Sequence, residues 1–326
     1  MFILLIFSHF LFAQSGLEPL DQNLSSVKYP YPVHTFEFKS QGQTLTMAYM
    51  DIKPEKYNGK NILLLHGKNF NGAYWESTIK ELTRNGYRVV VPDQIGFGKS
   101  SKPLHYQFSF QQLAANTRSV LDTLGITKTS VLGHSMGGML ATRFALMYPE
   151  ITEKLILENP IGLEDYKTLT TWQTVEDAYR AEMKNTYESY KKYQLTFYYD
   201  NTWKPEYDQW LNLLAGWTLH PDYPIIARNA ALTSDMIMTQ PVVYEFRNIK
   251  VPTLLIIGTR DRTAIGKDRA PKEIQPSMGL YNKLGRKTKK LIPGSQLVEL
   301  KGVGHMPHIE VFDSFITTLL KFLNKP

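Results

Sequence analysis

Short, uninterrupted apolar runs recur along the chain: ILLLHG at 62–67, RVVVPD at 88–93, TSVLGHS at 129–135, KLILENP at 154–160 and TLLIIG at 253–258. A strand wetted on one face alternates polar and apolar residues, whereas a strand covered on both faces has no polar side to show. These runs therefore predict the inner strands of a parallel sheet. Alternation appears only near the start, at 33–39 and 44–52 around Gln41-Gly42, which predicts an antiparallel hairpin at a sheet edge. Helical spacing fills the intervals. Residues 109–124 open on Ser109 as an N-cap, bring Leu113, Val120, Leu121 and Leu124 near one face and stop at Gly125. A last strand is expected at 296–300, followed by a helix carrying Phe312, Phe315, Ile316, Leu319 and Phe322 at helical spacing. Strand, helix and strand repeating with right-handed crossovers predict an α/β fold, a doubly wound and mostly parallel sheet.

The rhythm breaks once. Residues 161–247 lack strand runs but hold four of the five Trp and ten of the nineteen Tyr, with helical spacing around 173–195. An inserted helical cap at that point would sit over the carboxyl ends of the strands, where open α/β sheets bind ligands. Most of its aromatics are expected to form the cap's own core. The predicted division is a core of 33–160 and 248–326, a cap of 161–247 and an N-terminal extension of 14–32. Ahead of these, Phe2 to Phe12 is apolar except for Ser8 and His9 and is followed by Ala13-Gln14-Ser15-Gly16. That pattern predicts a signal peptide over 1–13, cleaved after Ala13, and a periplasmic or secreted protein, although the run has no Lys or Arg ahead of it. If the run is retained, the protein is cytoplasmic. A helix of this length reaches about half-way across a bilayer's hydrocarbon layer, so stable membrane insertion is not expected.

Composition narrows the chemistry. The 326 residues are 43% hydrophobic and 21% charged, a globular profile. With no cysteine, disulfides, thiolate metal sites, iron–sulfur clusters and a Cys nucleophile are all excluded. The net charge of +7 is local: Lys267, Arg269, Lys272, Lys283, Arg286, Lys287, Lys289 and Lys290 face only Asp268 and Glu273 within 267–290. Without interleaved aromatics or a nucleic-acid motif, the stretch is read as a solvated basic loop, and no nucleic-acid partner is expected.

GHSMGG at 133–138 follows the strand TSVL and precedes a helical stretch. A serine raised on a sharp strand-to-helix turn needs glycine two residues before and after it, because side chains there would collide as the backbone bends. Ser135 is the only serine so flanked, and the helix behind it favours an anionic intermediate. A hydroxyl is a weak nucleophile and needs a base and an orienting acid. The expected chain order of Ser, acid and His is met by Asp261, at the end of TLLIIGTRD, and His305, in KGVGHMPH. Glu158, at the end of KLILE, is the rival acid. His308 is expected at the surface or capping the last helix, His134 to be structural, and His66 to shape its loop. HGKNFNG at 66–72 can supply an oxyanion N–H from Lys68, or from its neighbour Asn69, to pair with that of Met136. DQIGFGKS at 93–100 lacks phosphate-loop spacing and is read as a structural loop bordering the pocket.

These motifs in this order (HG, DxxGxGxS, GHSMGG, GTRD and GHMPH) resemble the α/β-hydrolase family from about residue 33 to the end. The resemblance implies a Ser-His-Asp hydrolase with a lid. Serine at the elbow, in place of aspartate, sets the chain apart from the dehalogenase and epoxide-hydrolase branches. The expected reaction is acyl transfer from a small ester, lactone or related carbonyl substrate to water, needing no cofactor or metal. Alternatives are carbon–carbon hydrolysis of a vinylogous diketone by the same triad, or a ligand receptor on the same fold.

Overall fold

The computed structural model describes residues 17–325; the apolar run at 1–13 lies outside them. Its eight strands are β1 (Val33–Ser40), β2 (Gln43–Ile52), β3 (Asn61–Leu65), β4 (Arg88–Pro92), β5 (Thr129–His134), β6 (Thr152–Glu158), β7 (Thr253–Gly258) and β8 (Gln296–Leu300). They form one sheet in the order β1-β2-β4-β3-β5-β6-β7-β8. The β1–β2 and β2–β4 pairs are antiparallel and the rest parallel. At the hairpin tip both Gln41 (φ 51°) and Gly42 (φ 74°) are left-handed, the turn that matches the twist of paired strands.

The inner runs are apolar throughout because successive residues enter different cores. Leu63 and Leu65 of β3 pack on one face, while Ile62 and Leu64 pack on the other. The first face is covered by α2 (Phe110–Thr123) and α3 (Met136–Met147), through Leu113 and Leu140. The second is covered by α1 (Glu76–Arg84) and by the C-terminal helix Phe312–Leu323, through Ile79 and Phe315. As expected, Ser109 caps α2, accepting from the N–H of Gln112.

Between β6 and β7 the chain forms α4 (Val175–Glu182), α5 (Tyr187–Phe197), α6 (Asp208–Thr218) and α7 (Tyr223–Thr239). The segment before β1 lies along this helical insertion. Leu20 N–H donates to the Gly216 carbonyl, Trp217 Nε1 donates to the Asp21 carbonyl, and Leu24 and Tyr29 are buried. A side chain at Gly216 would strike the Glu18 carbonyl at 2.6 Å.

The basic stretch departs from the expected loop. Its second half is α8 (Tyr281–Leu291), which buries Tyr281, Gly285 and Thr288 and leaves Lys283, Arg286, Lys287 and Lys290 in solvent. Beyond β8 come α9 (Pro307–Glu310) and α10, the C-terminal helix. No described helix is long and apolar enough to cross a membrane.

One buried cation gives the fold a pH dependence. Lys102 donates to the carbonyls of Gly98 and Ser100 and lies under the Trp217 ring, facing Asp93, Asp21 and Lys99. Burial pushes its pKa down from 10.5 to about 7, against the pull of the two carboxylates. Between those values the unfolded chain binds a proton that the folded chain does not, so raising the pH through this window favours folding. The urea midpoint is expected to rise between pH 7 and 9.5 by more in the wild type than in Lys102→Met. Equal rises would show that Lys102 is charged in the fold.

Candidate active site

Ser135 sits where β5 meets α3, at φ 56° and ψ −121°, a strained backbone that L-residues seldom adopt. The glycines around it have a steric reason. A Cβ on Gly133 would lie 2.0 Å from the Gly137 carbonyl oxygen, and one on Gly137 would lie 2.1 Å from that of Leu65. The turn therefore closes only on bare backbone, which lifts the hydroxyl above the end of the central strand.

The three side chains picked from the sequence converge. His305 Nε2 is 3.0 Å from Ser135 Oγ, and His305 Nδ1 is 2.6 Å from Asp261 Oδ2. Both members of the second pair are wholly buried, and Ser135 is 7% exposed. Asp261 is held from two further directions: Asn159 Nδ2 donates to Oδ2 at 2.8 Å, and Thr263 N–H donates to Oδ1 at 2.8 Å. Such a saturated carboxylate fixes which imidazole nitrogen carries the proton. Gly258 and Gly304 allow the two loops to meet, since a Cβ on Gly258 would stand 2.3 Å from the Gly304 carbonyl.

His134 has the structural place expected of it. Its Nε2 lies 2.8 Å from the His305 carbonyl and its Nδ1 3.0 Å from the Tyr74 hydroxyl, which in turn accepts from Gly67 N–H. Burial, with His305 and His308 nearby, holds its pKa well below the ordinary imidazole value, so the ring is neutral. His66 shapes its loop, accepting from Gln94 N–H at Nε2; burial lowers its pKa too.

His308 corrects the sequence reading. It is 3% exposed, sandwiched against Tyr74 and Trp75, and its ring Nδ1 and backbone N–H both meet Glu158 Oε1, at 2.8 and 2.9 Å. The apolar pocket and that carboxylate draw it inward, where a surface or helix-capping place was expected; the N-cap of α9 is Met306. The same pairing disposes of Glu158 as the acid for His305: its side chain is occupied by His308. Its backbone still serves the elbow, because the Glu158 carbonyl accepts from Ser135 N–H at 3.2 Å.

The N–H groups of Lys68, of its rival Asn69 and of Met136 are spent on no described hydrogen bond, whereas Gly67 N–H is taken by Tyr74. Met136 opens α3, where the first N–H groups have no carbonyl within the helix. The loop at 93–100 is structural in its first part. Asp93 gathers Gly72 N–H, Lys99 N–H and the Tyr29 hydroxyl, while a Cβ on Gly98 would fall 2.1 Å from its carboxylate.

The insertion reaches the site directly. The Tyr198 ring, just past α5, stacks on the His305 imidazole with centroids 4.7 Å apart, and its hydroxyl pairs with the Asn69 side chain. A narrow cavity of about 30 Å³ lies beside Lys68 and Asn69, walled by Phe97 and by Leu214, Trp217 and Ile226 of the insertion. Other aromatics pack among themselves, as expected: Tyr199 stacks on Tyr207 at 3.7 Å, with Trp203 edge-on to both.

A mostly parallel sheet with a serine elbow, a histidine past its last strand and an acid past the one before is the arrangement of one family. A family model for the alpha/beta hydrolase fold matches residues 60–270, and the chain belongs to that family of hydrolases. It is 50% identical to a probable hydrolytic enzyme of Pseudomonas aeruginosa of known structure, over 95% of this chain and 99% of the other, with a TM-score of 0.94. Among curated relatives, it is 37% identical over 108 residues to 2-hydroxy-6-oxononadienedioate/2-hydroxy-6-oxononatrienedioate hydrolase of Comamonas testosteroni. That match spans 32% of this chain and only 38% of the relative. Lipase 1 of Psychrobacter immobilis is 25% identical over 83% of this chain and 80% of its own.

Proposed function

We propose that the protein hydrolyses an ester, lactone or related acyl bond of a small apolar or aromatic substrate through an acyl-enzyme on Ser135. The observation that carries this reading is the unbroken hydrogen-bonded line Asp261–His305–Ser135. His305 Nε2 takes the Oγ proton as Oγ attacks the carbonyl carbon, and Asp261 holds the resulting imidazolium in place. The oxyanion is to lie against the N–H groups of Met136 and of Lys68 or its neighbour Asn69, which are engaged in no described hydrogen bond. The imidazolium then protonates the leaving alkoxide. Water, deprotonated by the same nitrogen, releases the acid and restores Ser135. The helical insertion acts as a cap: Tyr198 covers His305 from bulk water, and the walls of the cavity are largely cap side chains.

A second reading keeps the triad but cleaves a carbon–carbon bond in a vinylogous diketone, and it is favoured by the name of the Comamonas testosteroni relative. Assays with p-nitrophenyl esters of increasing acyl length, γ-lactones and a 2-hydroxy-6-oxodienoate, with products identified by mass spectrometry, separate the two. Ester or lactone turnover at least about tenfold faster in kcat/KM supports acyl hydrolysis. Dienoate cleavage that dominates by the same margin overturns it.

A further inference from the structure

Among the described residues, the only charged ones lining the cavity beside the oxyanion loop are Lys68, from the core, and Glu182, at the end of α4 in the insertion. Their contact is loose: Lys68 Nζ stands 3.4 Å from Glu182 Oε1, well beyond the usual span of a charge-assisted hydrogen bond. The two partners are unequally satisfied. Glu182 Oε2 also accepts from Asn185 Nδ2 at 2.9 Å, whereas the Lys68 ammonium makes no other described hydrogen bond. Glu182 is moreover the last residue of its helix, where the helix dipole disfavours a negative charge. An ammonium short of acceptors, set in a largely apolar wall and held by a carboxylate at the wrong helix end, is suited to exchanging that carboxylate for another.

We infer that Lys68 is the recognition site for a carboxylate on the substrate, so that the preferred substrates are half-esters or other acyl compounds bearing a free acid at the far end of an apolar chain. The incoming carboxylate takes the place of Glu182 on Nζ. That exchange releases one of the ion pairs joining core and insertion as the substrate is seated. The inference rests on the acyl-hydrolase reading of the same site, and adds to it the charge of the substrate.

The test compares p-nitrophenyl half-esters of adipate, pimelate and suberate with the neutral hexanoate, heptanoate and octanoate esters of equal chain length. The readout is the ratio of kcat/KM for acid over neutral ester within each protein, which cancels any general effect of a substitution on catalysis. At the best chain length, Lys68→Met is expected to lower the ratio by about tenfold or more, mainly through KM. Lys68→Arg should keep most of it, and Glu182→Gln should raise it by removing the competitor. A ratio unchanged in Lys68→Met at every length, or lowered by Glu182→Gln, overturns the inference. Should the wild type cleave neither ester series, the acyl-hydrolase reading fails only if the γ-lactones are also left intact, and the subsite is judged by calorimetry with monomethyl adipate. Binding to Ser135→Ala that is lost in Ser135→Ala/Lys68→Met sustains it, and binding that is equal or absent in both ends it.

Discussion

Replacing Ser135 by alanine is expected to lower kcat for a p-nitrophenyl ester on the order of 10⁶-fold while leaving the fold intact. The hydroxyl makes one described side-chain hydrogen bond, to His305, and alanine keeps the same Cβ, so the strained turn gains no new clash. Whatever rate remains must come from the oxyanion donors and from binding alone. Circular dichroism and the urea midpoint check that the variant is folded. Turnover within tenfold of the wild type would mean that bond cleavage does not pass through this oxygen.

Asp261→Asn is expected to cost about 10⁴-fold in kcat. Both carboxylate oxygens accept hydrogen bonds, Oδ2 from Asn159 and from the His305 ring, and Oδ1 from Thr263 N–H. An amide nitrogen placed at Oδ1 would point its hydrogens at a backbone donor. Placed at Oδ2, it would face the Asn159 amide and force the His305 Nδ1 to accept, which protonates Nε2 and removes the base that Ser135 needs. Glu158→Gln provides the contrast. It weakens the pairing with His308 and lowers the urea midpoint, but it leaves the contact between Asp261 and His305 in place, so kcat should fall less than about tenfold. If the glutamine variant shows the larger kinetic loss, the orienting acid is Glu158.

The sheet and the triad were readable because each rests on local chemistry. Continuous apolar runs bounded by turn residues mark strands covered on both faces, and Gly133 is demanded by the nearby Gly137 carbonyl, whereas the clash at Gly137 is with the Leu65 carbonyl of β3. Asp261 and His305 could be picked because each follows a late strand and the two fall in the chain order serine, acid, histidine. What escaped depends on packing between distant segments. His308 stands in the first turn of a short helix, and its burial follows only once Trp75 and Glu158 are seen around it. The insertion's tyrosines are alike in sequence, yet Tyr198 lies on His305 while Tyr199, its neighbour, turns into the insertion's own core. In the basic stretch a signal was present: Lys283, Arg286, Lys287 and Lys290 recur at helical spacing opposite Leu284, Thr288 and Leu291. The density of charge masks that spacing.

The central claim is that the Ser135 oxygen is the activated nucleophile, and an alkyl fluorophosphonate reacts with such an oxygen and with little else. Incubation of the intact protein, followed by mass spectrometry of its peptides, should find one adduct per chain on the peptide holding Gly133–Gly138. Labelling should be lost in Ser135→Ala and slowed at least about 10³-fold in Asp261→Asn. An adduct on another residue, or a Ser135→Ala protein that labels as fast as the wild type, would contradict the account.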